Sequence, residues 1–178
     1  MFNYIQRDSY GADDDEKDEE TSSLHAAAEE GNMDVLKSLL VRGADVNVRN
    51  ESQRTPLNLA AAKGNVDVVR LLIERGAEVD SCDKWGWTPL HAASRFGNLE
   101  VSRVLIDKGA NVNARQESNC TPLYFSARHG HIEIVRLLLG DPRVDKDALN
   151  NKGETPYHAS LRSRRPEIAV LLREPSTG

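Results

Sequence analysis

The chain has 178 residues, with 28 acidic against 23 basic side chains and a net charge of −5. That is long enough for one domain with a real core, and the charge argues against a nucleic-acid binder that relies on bulk attraction to phosphate. No apolar run is long enough to span a membrane, and Met1-Phe2-Asn3-Tyr4-Ile5 lacks the basic-then-apolar order of a secretory signal.

Residues 1–20 stand apart. Ala12-Asp13-Asp14-Asp15-Glu16-Lys17-Asp18-Glu19-Glu20 is an acidic run without apolar periodicity, so a solvated, mobile tail is expected. Ser22-Ser23-Leu24-His25-Ala26-Ala27 then starts a helix that Gly31 interrupts. Met33, Val35, Leu36, Leu39 and Leu40 give a second helix an apolar stripe at three- and four-residue spacing. Gly43 suits the left-handed residue that ends it. No hairpin precedes this unit, which reads as an N-terminal cap.

Thr55-Pro56-Leu57 opens the second unit: a threonine N-cap followed by proline at the first helical position. Gln53 stands at its hairpin tip where glycine fits better, so a distorted or looser tip is expected. Asp83-Lys84-Trp85-Gly86-Trp87-Thr88-Pro89-Leu90-His91-Ala92-Ala93 is the most regular start, with both tryptophans of the chain around the turn glycine. In the fourth unit Asn119 replaces that glycine, a residue that tolerates the same backbone region. Tyr124-Phe125-Ser126 there puts larger side chains where small ones usually pack. The fifth unit regains Gly153 but has Arg164-Arg165-Pro166 in place of the mid-unit glycine. Its second helix, Pro166 to Arg173, should stop at Pro175, and Arg162, Arg164 and Arg165 suit a C-terminal cap with one face in water.

These starts recur at intervals of 33, 33, 33 and 34 residues from Ser22 to Thr155. Gly31-Asn32, Gly64-Asn65, Gly97-Asn98 and Gly130-His131 follow at a fixed offset, and Gly43-Ala44-Asp45-Val46-Asn47 has copies at Gly76 and Gly109. A period of 33 with Thr-Pro-Leu-His-x-Ala resembles the ankyrin repeat. The resemblance implies an all-α solenoid of stacked helix-turn-helix units joined by β-hairpin-like loops. The units run approximately 21–49, 50–82, 83–115, 116–149 and 150–174, with a short tail at 175–178.

In proteins similar to this one, a concave surface of hairpin tips and first helices binds other proteins. By register that surface receives Glu29 and Glu30, then Glu51, Ser52, Arg54, Ala62 and Lys63. The later units add Ser118 and Cys120, then Asn151, Lys152, Glu154, Arg162 and Ser163. The expected protein-binding set is Lys84, Trp85, Trp87, Arg95, Phe96, Arg115, Glu117, Arg128 and His129, because aromatic anchors beside arginines are the composition of an interaction hot spot. Its arginines point to a partner with an acidic or phosphorylated surface, and the acidic tail would compete for the same face. Truncating Trp85 and Trp87 together should weaken binding and leave the melting temperature nearly unchanged.

His25, His91 and His158 occupy one repeat position, which argues for a structural hydrogen-bonding role, and His131 sits beside a mid-unit glycine. Cys120 and His129 share a unit without a third catalytic member. No metal cluster or phosphate-cradling glycine loop stands out, so neither cofactor nor enzymatic activity is expected. Cys82 and Cys120 read as free thiols of a reducing compartment. Asn47 and Asn113 close their units in a setting that, in similar proteins, an oxygenase hydroxylates. The chain therefore reads as a monomeric, non-enzymatic binding module of the cytoplasm or nucleus, a small inhibitor or adaptor. The alternative is the recognition fragment of a larger multidomain protein or ubiquitin-ligase complex.

Overall fold

The structure is a computed structural model and describes residues 22–173. The acidic N-terminal tail, the 175–178 tail and the stop at Pro175 fall outside those residues. Ten helices follow one another, and no strand forms among the described residues. They are α1 (22–30), α2 (Met33–Val41), α3 (Pro56–Lys63), α4 (Val66–Glu74), α5 (Pro89–Phe96), α6 (Leu99–Asp107), α7 (Pro122–His129), α8 (Ile132–Leu139), α9 (Pro156–Arg162) and α10 (Pro166–Arg173).

Local chemistry starts each first helix. Thr55, Thr88, Thr121 and Thr155 are extended, and each hydroxyl accepts the amide three residues on, with proline next in line. Such a cap is worth about 1 kcal/mol. Gly64, Gly97 and Gly130 end three of these helices in the left-handed conformation. At Gly97, φ is 80° and a β-carbon would lie 2.7 Å from the His131 ring, so only glycine fits. In the fifth unit Arg164 takes this place with φ 55°, a conformation that costs an L-residue roughly 1 kcal/mol.

The residue after the mid-unit glycine bonds to the preceding unit in the second, third and fourth units. Asn65 donates to the carbonyls of Ala28 and Glu29, Asn98 to those of Ala61 and Ala62, and His131 Nε2 to that of Arg95. These are last-turn carbonyls that lack a partner within their own helix. The side chain of one unit thus caps the first helix of the unit before it.

The tips are uniform, contrary to the expectation for Gln53. Its φ is 59°, as is that of Asn119. The Gln53 amide donates to the Asn50 carbonyl at 2.7 Å, just as Gly86 donates to Asp83 at 2.9 Å. The reason is a side-chain brace: Asn50 Oδ1 accepts from the amides of Ser52 and Arg54, both at 3.0 Å, and holds the turn against the backbone preference of glutamine. Asp83 and Asn150 brace their tips the same way. Successive tips are joined by amide bonds from Lys84 to Ser52, Glu117 to Trp85 and Asn151 to Ser118.

Helices α3, α5, α7 and α9 pack in one row, and α2, α4, α6, α8 and α10 in a second row behind it. Between the rows lies one apolar cluster that runs unbroken from Leu24 to Leu172. Ala60, Ala93 and Ser126, all fully buried, let the front helices approach closely. At the C-terminal end Arg162, Arg164 and Arg165 are exposed as expected of a cap, but so are Leu161 and Val170.

Candidate protein-binding face

The face is built outward from Asp83. Its carboxylate is buried at the tip of the third unit, where Oδ1 accepts the amides of Trp85 and Trp87 at 2.9 Å and Oδ2 accepts from Arg54 Nε at 3.3 Å. One acidic side chain therefore fixes the backbone of both tryptophans and the guanidinium of the preceding unit. Trp85 is left 38% exposed, with the Lys84 ammonium 4.5 Å and the Arg54 guanidinium 5.7 Å from its ring centre. Both cations are thus within reach of the face of an exposed indole, the geometry of a cation–π contact.

Trp87 behaves differently. Its ring lies 4.4 Å from that of Phe125 and 5.8 Å from that of His91, with the Arg95 guanidinium 5.2 Å above. It is half-buried and joins a small second cluster of Cys120, Tyr124, Phe125 and Ala159. The expectation that truncating both indoles spares the melting temperature is therefore corrected: Trp87 is a packing residue with one exposed edge. Phe96, at 57%, is the most exposed aromatic of the face, and Arg95 lies 5.6 Å over its ring.

Two recesses flank Trp87 and Arg95. The first, about 400 Å³, runs between Arg54, Asn58, Trp85, Trp87, Arg95 and Phe96, with Glu29 and Lys63 at its edge. The second, about 420 Å³, runs between Trp87, Arg95, Tyr124, Phe125, Arg128, His129 and Lys152, with Cys120 among its lining. A smaller one of about 230 Å³ follows between Tyr124, Arg128, Lys152, Glu154 and Arg162. In that recess the Tyr124 hydroxyl donates to Glu154 Oε2 at 3.1 Å, and Arg162 pairs with Glu154 Oε1. The Arg162 bond is the first cause holding the Glu154 carboxyl below its usual range.

Of the expected set, Trp85, Trp87, Arg95 and Phe96 meet at the first recess, and Trp87, Arg95, Arg128 and His129 at the second. Lys84 and Glu117 lie on the exposed tips beside them. Arg115 is not brought to the patch. Its guanidinium donates to the Leu149 carbonyl at 2.9 Å and reaches Asp145, a clamp between units that Arg49 repeats on Cys82 and Glu78. Cys120, expected to face outward, is buried. Sequence reasoning missed the roles of Asp83 and Phe125. Asp83 shares the tip-brace position with Asn50, Gln116 and Asn150, and that alignment could have found it.

The other chemical candidates are structural as placed. His91 is fully buried; its Nδ1 accepts the Thr88 amide at 3.3 Å and its Nε2 donates to the Cys120 carbonyl at 3.0 Å. Burial lowers its pKa to about 4. His25 bonds the Arg54 carbonyl, and His158 bonds Thr155. Burial raises the Cys120 thiol pKa, and Sγ neighbours Ser118 and Asn150 rather than a base. Among the described residues no group of His, Cys, Asp and Glu could hold a metal ion, and no helix is long and apolar enough to cross a membrane. Asn47 and Asn113 are placed alike. Each donates to a carbonyl of the next unit, Gly76 or Arg143, and accepts an amide there, of Glu78 or Asp145.

Comparison with known families matches this architecture. A model described as ankyrin repeats in three copies covers residues 24–116, and one described as ankyrin repeats in many copies covers residues 105–158. No curated protein matches the chain.

Proposed function

Since the chain belongs to the ankyrin-repeat family, whose repeats are generally protein–protein interaction modules, we propose that it binds a partner protein on the hairpin and first-helix face. One observation carries the reading. At the middle of that face, Trp85 and Phe96 remain 38% and 57% exposed around a recess of about 400 Å³, beside an arginine stacked on Phe96. Large aromatics left uncovered beside cations are the side chains from which binding hot spots are made.

On this reading the protein acts as a small inhibitor or adaptor that holds or blocks its partner without catalysis. Enzymes are atypical of the family, and the buried Cys120 thiol and neutral His91 lack the arrangement of a nucleophile and base. We further propose that the chain is a monomer, and that it is located in the cytoplasm or nucleus, the location being supported by the free thiol of exposed Cys82. Asn47 and Asn113 remain proposed hydroxylation sites, with their inter-unit bonds already explaining asparagine there.

The test is affinity capture from cell extract with wild type and a Trp85→Ala/Phe96→Ala variant, read by quantitative mass spectrometry. Loss of the specific captured protein in the variant supports the reading. Equal capture by both removes the face from the account.

A further inference from the structure

The second recess differs from the two beside it in having cations without a carboxylate in its lining, and its chemistry narrows the partner that the binding-face reading leaves open. Arg95, Arg128 and Lys152 line it, and among the described residues no carboxylate does. None of these three cations makes an ion pair among the described residues, whereas Arg54, Arg115 and Arg162 do. Glu154 lies in the adjoining recess with Arg128 and Lys152, but Tyr124 and Asn150 occupy its Oε2 and Arg162 its Oε1. Burial pushes the pKa of the neighbouring His129 down, with Arg95 and Arg128 next among the causes. In a chain of net charge −5 this is a local reversal of sign.

Beneath the cations the floor is aromatic. Trp87 and Phe125 pack against each other, and Tyr124 stands edge-on to Phe125 at 5.8 Å. One carboxylate carries a single charge and two acceptor oxygens. A phosphate ester carries about −1.5 to −2 charges and three acceptor oxygens, and arginine forks bind phosphate in a bidentate manner. Three cations around one recess, without an ion pair among the described residues, match the second group.

Resting on the reading of this face as a protein-binding surface, we propose that the recess receives a phosphorylated side chain of an extended partner segment. Arg95, Arg128 and Lys152 hold the phosphate, and a neighbouring apolar residue of the segment lies on the exposed part of Trp87.

The experiment measures binding of the full chain to matched degenerate peptide libraries by fluorescence polarisation. The central residue is fixed as phosphoserine, phosphothreonine or phosphotyrosine, as the unmodified residue, or as glutamate. The phosphorylated libraries should bind at least about tenfold tighter than both controls at physiological salt. Arg128→Ala/Lys152→Ala should abolish that preference. Both positions are exposed, so the fold is expected to survive, and Arg128→Gln/Lys152→Gln should repeat the loss. Arg103→Ala, which removes an exposed arginine paired with Glu100 on α6, should leave the preference intact. Equal binding of phosphorylated and glutamate libraries, or a preference that survives the double substitution, overturns the proposal. If capture still depends on Trp85 and Phe96 in that case, the binding face stands and only its phosphate specificity falls.

Discussion

Replacing His91 by asparagine tests the repeat architecture quantitatively, because the protein already contains the control. Asn58 fills the same position one unit earlier. Its Oδ1 accepts the Thr55 amide at 2.9 Å, and its Nδ2 donates to the carbonyls of Ser81 and Trp87 at 3.0 and 3.4 Å. His91 does the equivalent with Thr88 and Cys120. In the folded protein its pKa is lowered from 6.5 to about 4, first by burial. Between those two pH values the unfolded chain takes up a proton that the folded chain refuses. Stability from this group is thus complete above about pH 6.5 and drains away as pH falls toward 4, by roughly 3 kcal/mol in all. Asparagine carries no titrating group. It loses ring volume and should cost about 1–1.5 kcal/mol at neutral pH. The stability curves of wild type and His91→Asn should therefore cross near about pH 5.5. Urea unfolding followed by circular dichroism at pH 4.5 and 7.5 measures both ends, and carboxylates common to the two proteins cancel in the difference. Parallel curves that never approach each other would refute the assignment of His91 as a neutral inter-unit bond.

Two further substitutions probe packing. Trp87→Ala removes a ring stacked between Phe125 and Arg95 and should cost about 2 kcal/mol. Trp85→Ala should cost no more than about 0.5 kcal/mol. Calorimetry should accordingly show a melting point lower by roughly 4–8 °C for the first and little changed for the second. Equal shifts contradict the division of the two indoles into packing residue and anchor. Ser94 is fully buried, and its hydroxyl has no hydrogen-bond partner among the described residues, at a position where Ala28, Ala61 and Ala127 stand in other units. Ser94→Ala should stabilise the protein by about 1 kcal/mol, and a loss of stability would show that the hydroxyl has a partner after all.

The pitch of the repeat was legible because glycine, proline and threonine each act within a few residues of their own position. Thr88 caps its own helix, and Gly97 ends it. Bonds between units were less legible, since they join residues about one repeat apart. The partner of His91 is a backbone carbonyl 29 residues on, and that of Asn98 lies 37 residues back. Gln53 shows propensity overruled: the Asn50 brace imposes a turn that glutamine alone disfavours. At the candidate face, register placed Trp85, Trp87, Arg95 and Phe96 together correctly. Register could not foresee that Phe125 would rise under Trp87, or that Arg115 would turn away to the Leu149 carbonyl. Both outcomes depend on side-chain direction, which repeat spacing alone does not encode.

Hydrogen–deuterium exchange of the protein with and without its captured partner addresses the binding face directly. Partner binding should slow exchange across the tips of the third and fourth units and along α5 and α7, while the rear helices α4, α6 and α8 keep their free-state rates. Protection confined to those rear helices would place the partner on the opposite side and contradict the account.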